Sequence, residues 1–143
     1  MDIITLDNIQ TNVEAKDWKD AVIKTGELLL KQGFVEKSYI DAMINKVEEL
    51  GPYIVIAPHI AMPHARPEDG VNETSIAIVT LKEPLNFGHE KNDPVRLILA
   101  LAAKDNEDHL ETLANLMEIL GDETKLANIM NSLSPEELYS YLV

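Results

Sequence analysis

Two runs in the middle of this chain, Ser75-Ile76-Ala77-Ile78-Val79-Thr80-Leu81 and Val95-Arg96-Leu97-Ile98-Leu99-Ala100-Leu101, are apolar at nearly every position instead of every second one. Successive residues of a strand face opposite sides, so a strand apolar at both parities is buried on both faces. A third run, Tyr53-Ile54-Val55-Ile56, has the same β-branched character, and turn residues bound all three. Three buried strands are expected, in a sheet covered above and below.

The flanking sequence supplies the cover. From Asp17 to Gln32, the residues Trp18, Ala21, Val22, Leu28 and Leu29 follow helical spacing, with Asp17 as cap and Gly33 as stop. From Lys37 to Leu50, Tyr39, Met43, Ile44, Val47 and Leu50 share one face before Gly51-Pro52 ends the helix. After the strands, helical period returns from His109 to Leu120, opened by Glu107 or Asp108. Two short helices follow, over about Glu123 to Asn131 and from Ser134-Pro135-Glu136-Glu137, where serine caps and glutamate reciprocates. Helices, strands and helices again predict an α/β fold whose sheet is flanked by helices, with strand order left open.

Length and composition narrow the function. At 143 residues, 45% of them hydrophobic, without repeat or linker, residues 1–143 are expected to form a single domain. The absence of cysteine excludes a disulfide framework, a thiolate zinc site and a thiol nucleophile. A formal charge of -13 disfavours a nucleic-acid partner. No basic amino-terminal region precedes an apolar stretch and no run reaches about 18 apolar residues, so no membrane insertion is expected and a cytoplasmic location is.

Chemistry concentrates between Ala57 and Gly70, where Pro58, Pro63 and Pro67 deny helix formation and hold the preceding residues extended. Pro63 fixes the chain entering His64, small Ala65 leaves the ring approachable, and Arg66 can offer a guanidinium fork to an anion. Imidazole titrates near neutrality, so a nitrogen lone pair is available for attack on phosphorus, and such transfers depend chiefly on positioning and charge neutralisation. A histidine after a proline is, by itself, more often a loop or packing residue. His109 adds a second feature, at the start of a helix whose free N–H groups suit a phosphate; first-turn packing is the competing reading. His59 and His64 lie five apart and, in an extended segment, do not share a face, so no metal site is expected; His89 reads as a turn residue. No cofactor is implied.

The stretch Ile60-Ala61-Met62-Pro63-His64-Ala65, followed by Phe87-Gly88-His89-Glu90-Lys91-Asn92-Asp93-Pro94-Val95, the Leu101-Ala102-Ala103 strand end and His109-Leu110, resembles the mannitol- and fructose-type enzyme IIA components of the phosphoenolpyruvate-dependent sugar phosphotransferase system. Residues 51–58, 61–71 and 79–85 are most similar to the ascorbate-specific branch. The resemblance implies a mixed sheet of about five strands flanked by helices. It also implies a phosphoryl group received by His64 from the carrier protein HPr and passed to a cysteine of a IIB partner, with a membrane IIC protein moving the substrate. By the same resemblance His109 is the second active-site histidine, hydrogen-bonding the phosphoryl group. Two departures from the family pattern stand out: where mannitol-type members place an arginine in the helix before the active-site strand, the nearest basic residue here is Lys46, with Arg66 to share the phosphate-binding role, and His59 stands where glycine is common.

A basic partner protein requires an exposed patch around His64, for which Ile60, Met62 and Phe87 are the apolar candidates, core packing being the other reading. Two further functions stay open on the residues: a regulatory module of the same fold whose phosphorylation signals to a partner, and a hydrolase using His64 as base, which lacks an evident nucleophile or oxyanion donor set.

Overall fold

The computed structural model describes residues 3–105, 107 and 110–143. Its centre is a five-stranded mixed sheet in the order β1-β4-β5-β3-β2, made of β1 (Ile9–Val13), β2 (Val55–Ala57), β3 (Ile60–Ala61), β4 (Ser75–Leu85) and β5 (Val95–Ala102). β4 and β5 pair antiparallel, and each has a parallel outer neighbour, β1 beside β4 and β3 beside β5. β2 folds back antiparallel on β3 as the edge.

The expected burial on both faces is found in β4 and β5. Ala77, Val79 and Leu81, with Ile98, Ala100 and Ala102, join one apolar cluster; Ile76 and Ile78, with Leu97, Leu99 and Leu101, join the other. Helices α1 (Trp18–Lys31) and α2 (Lys37–Leu50) supply the first cluster; α3 (Leu110–Leu120), α4 (Glu123–Met130) and α5 (Pro135–Ser140) supply the second. Three alanines on the α1–α2 side let α1 approach β4 and β5 closely.

Local chemistry sets the helix ends. Asp17 accepts the Asp20 N–H at 2.8 Å, and Gly33 and Gly51 take positive φ beyond α1 and α2. Ser134 accepts the Glu137 N–H at 3.1 Å, while the Glu137 carboxylate accepts the N–H of Leu133 at 3.1 Å. Asp108 and His109, read as opening α3, lie outside the described residues. Among the described residues no helix is long and apolar enough to cross a membrane.

Two expectations change. Tyr53 and Ile54 are not strand: Gly51-Pro52 starts a turn closed by the Val55 N–H on the Pro52 carbonyl at 3.1 Å. β2 then runs along the edge, so Ile56 is 40% exposed and this strand is not buried on both faces. Residues 9–13, to which patterning assigned no element, form β1.

Within α1 the buried Gly26 marks the closest approach to α2, where an added Cβ would stand 2.8 Å from Ile40 Cγ1. Gly26→Leu is expected to destabilise the protein by about 2–3 kcal/mol through overpacking, read as a lower urea unfolding midpoint.

Candidate functional site

The site grows from the carboxyl end of the β3–β5 pair. β3 is two residues long, and the chain then continues through Met62 and Pro63 with one further rung, the Leu101 N–H donating to the Pro63 carbonyl at 3.0 Å. His64 faces Leu101 across this rung as an isolated parallel bridge. Ala61 packs into the α1–α2 cluster, so Ile60, Met62 and His64, at alternate positions, belong to the opposite face.

His64 is half-buried, and its Nδ1 lies 2.8 Å from the Met62 carbonyl oxygen. A carbonyl only accepts, so Nδ1 carries the proton and the lone pair of the neutral ring is on Nε2. The Tyr53 ring meets the imidazole edge-on, with centroids 5.8 Å apart and planes at 83°. Burial raises the Tyr53 hydroxyl above its ordinary pKa. After His64 the Ala65 N–H donates to the hydroxyl of buried Tyr39 at 3.0 Å, and Arg66 leads into a 3-10 turn over Pro67–Asp69.

That turn governs Arg66. The Asp69 carboxylate accepts the Arg66 backbone N–H at 2.9 Å and takes both Nε and Nη2 of the guanidinium at 3.4 Å, with Glu68 3.5 Å from Nε. The Arg66 backbone N–H, followed by its side chain, holds Asp69 below the usual carboxylate range, Lys46 adding to the effect. The turn is pinned to the start of α2, since Ser38 donates to the Asp69 carbonyl and Glu36 to that of Gly70, both at 2.8 Å. Lys46 lies on the same helix face as Tyr39 and Met43, and lines a cleft of about 430 Å³ with Ala42, Asn45, Glu49, Arg66 and Asp69. The structure thus brings Lys46 and Arg66 together, but the guanidinium fork is engaged by Asp69, and among the described residues neither cation is hydrogen-bonded to His64.

Two of the residues expected at a partner surface are core. Ile60 is 3% exposed, because β3 pairs with β5 and turns it into the α3–α5 cluster; Phe87 is 5% exposed and packs on Trp18 with ring centroids 6.3 Å apart. Met62 is half-buried and stays at the rim beside His64. Patterning missed the exposed aromatic Tyr53 and the bonding of Tyr39, although a tyrosine in an apolar helical stripe signals that its hydroxyl needs a buried partner.

His59 and His89 serve the backbone. Pro58-His59 is the two-residue turn between β2 and β3, and His59 has φ 71°, the conformation of the third residue of a type II turn. Histidine is among the residues that tolerate this conformation, and its Nδ1–H donates to the Pro94 carbonyl at 2.8 Å. His89 Nδ1 accepts the Asn92 N–H at 3.1 Å, and Asp93 accepts the N–H groups of Phe87, Gly88 and His89. His109 lies outside the described residues.

The sequence profile of the family described as "Phosphoenolpyruvate-dependent sugar phosphotransferase system, EIIA 2" matches residues 2–143, and the chain belongs to that family as a phosphotransferase component. It is 44% identical over 117 residues to an "Ascorbate-specific PTS system EIIA component" of Shigella flexneri, covering 81% of this chain and 76% of that one. The solution structure of the mannitol-specific cryptic enzyme IIA CmtB from Escherichia coli superposes with a TM-score of 0.88 at 30% identity, over 99% of this chain and 95% of that one. Enzyme IIA in the Escherichia coli complex of mannitol IIA with phosphorylated IIB matches with a TM-score of 0.84 at 30% identity, over 97% and 96% of the two chains.

The His59 turn gives a test of local strain. His59→Val is expected to cost about 2 kcal/mol, a β-branched residue being poorly placed in the left-handed region, while His59→Gly stays within about 1 kcal/mol of wild type. Chemical unfolding of the three proteins checks both.

Proposed function

We propose that this chain, acting as a single domain over residues 1–143, carries a phosphoryl group on Nε2 of His64. The observation that carries the reading is the 2.8 Å contact of Nδ1 with the Met62 carbonyl, which leaves Nε2 as the nucleophile of a half-exposed ring. Phospho-HPr is the donor: as its N–P bond breaks, a bond forms from Nε2 to phosphorus, and the Nδ1 proton stays on the ring facing Met62. In the second transfer that bond breaks while an S–P bond forms to a IIB cysteine, regenerating the neutral imidazole. The matching structure of mannitol IIA with phosphorylated IIB supports this direction of transfer.

Neutralising charge is the protein's other task in such a transfer. Lys46 and Arg66, beside one cleft, are the proposed phosphate-binding cations. Lysine supplies a point charge where the family's arginine would supply a fork. His109 is proposed to hydrogen-bond the phosphoryl group. Met62 and Tyr53, at the rim of the imidazole, are proposed to meet the partner proteins. The names of the relatives support L-ascorbate as the substrate of the system, taken up by a IIC transporter in the membrane while this chain works in the cytoplasm. No cofactor enters the balance of either transfer.

Labelled phosphoenolpyruvate with enzyme I and HPr tests the assignment. Wild type is expected to take up acid-labile, base-stable label and pass it to IIB, and His64→Ala to take up none; label retained in His64→Ala would overturn the site. Lys46→Ala is expected to slow transfer by roughly 10- to 100-fold. Met62→Asp should weaken transfer from HPr in protein that remains folded, and wild-type rates in that variant would remove Met62 from the interface.

A further inference from the structure

The rung beside His64 is not a regular one. In a parallel pair the residue facing His64 donates its N–H to the carbonyl of residue 63 and accepts the N–H of residue 65. The first of these bonds is present, from Leu101 to Pro63 at 3.0 Å. In the second, a side chain stands between the two main chains: the Ala65 N–H donates to Tyr39 Oη at 3.0 Å, and Oη donates to the Leu101 carbonyl at 2.5 Å. The Ala65 carbonyl, at 3.4 Å, is the more distant acceptor for the same proton. Tyr39 is wholly buried, and burial pushes its pKa up to about 12, so the hydroxyl keeps the proton it donates.

We infer that Tyr39 is a positioning residue for phosphoryl transfer: its hydroxyl, inserted between Ala65 and Leu101, sets how far the chain at His64 is splayed from β5 and so fixes the pose of the imidazole. This rests on the reading of His64 as the phosphorylated residue. Within four consecutive residues the segment is held at Met62 by the His64 ring, at Pro63 by Leu101, and at Ala65 by Tyr39. Without the hydroxyl, the Ala65 N–H, part-buried, and the buried Leu101 carbonyl lose their shared partner, a cost that direct closure of the rung relieves. Closure draws Ala65 towards β5 and turns His64 with it, loosening the Nδ1–H bond to Met62 that selects the nucleophilic nitrogen. The same hydroxyl ties this segment to α2, the helix that also presents Lys46.

The test is Tyr39→Phe, which keeps the ring and removes only the bridge. Transfer from phospho-HPr is expected to fall by about 10- to 100-fold, mainly in kcat, as for a misplaced nucleophile. Nitrogen-15 spectra of His64, a single Nδ1–H tautomer in wild type, should show a mixture in the variant. Val22→Ala, a buried change in α1, serves as a control for lost stability and should alter neither readout in its folded state. Wild-type transfer with an unchanged tautomer in Tyr39→Phe would overturn the inference, as would an equal rate loss in Val22→Ala. If Tyr39→Phe does not fold, the wild-type protein decides: a slowly exchanging Tyr39 hydroxyl proton in through-space contact with the Ala65 amide is expected, and its absence would overturn the bridge. The spectroscopic measurements need no phosphoryl donor, so they test Tyr39 even if His64→Ala were to keep its label and the carrier assignment failed.

Discussion

Strand β5 is the constraint from which the rest follows. Every residue of Val95–Ala102 except Arg96 is buried, so the strand must be paired on both edges and covered on both faces. Pairing with β4 satisfies one edge over most of its length. The other edge is met by a two-residue strand and one further rung, because Pro63 has no N–H to extend the ladder. The mismatch between a long buried edge and a short partner is where His64 sits: held to β5 through the Pro63 carbonyl, at the point where regular pairing gives out.

Covering the two faces shapes the site as well. Alanines at 77, 100 and 102 on the α1–α2 side let α1 lie near β4 and β5, and Gly26 lets α2 close on α1. At that distance a tyrosine on α2 reaches the end of β5 with its hydroxyl, and Met43 and Lys46 continue the same face towards the turn at Pro67–Asp69. Larger residues, Leu97, Leu99 and Leu101, fill the α3–α5 side, where the imidazole belongs.

Sequence patterning resolved what is locally encoded. Helix ends were legible because each is set by a cap or stop within a few residues, as at Asp17, Gly51 and Ser134. The long buried strands were legible from apolar residues at both parities. β1 was not: Ile9 is its one fully buried position, and the polar residues between read as loop. Nor was β3, too short to show a period. The segment around His64 stood out through its prolines and its resemblance to the enzyme IIA family. Tyr39 did not, since its partners Ala65 and Leu101 lie 26 and 62 residues away and only the tertiary fold joins them. Arg66 has a local feature of the opposite kind: proline at the first position of the 3-10 turn and Asp69 at the third form a capping arrangement, readable in the sequence, that also engages the guanidinium.

The choice of a main-chain acceptor for Nδ1 has a chemical consequence for the proposed carrier. A carboxylate in that place would orient the ring and raise its basicity, but would set a negative charge beside a phosphoryl group that already carries about two. The Met62 carbonyl selects the same tautomer with a dipole and no net charge. The surroundings are equally restrained, since Asp69 partly neutralises Arg66 and Lys46 offers one ammonium group. A group that must leave for the next protein is poorly served by a site that holds it deeply: binding that stabilises the phosphorylated state without stabilising the transition state slows departure. A half-exposed imidazole, fixed in tautomer and position and, among the described residues, with neither Lys46 nor Arg66 hydrogen-bonded to it, suits the proposed carrier if a docked partner supplies part of the charge stabilisation, so that the group is held no more tightly than its onward transfer allows.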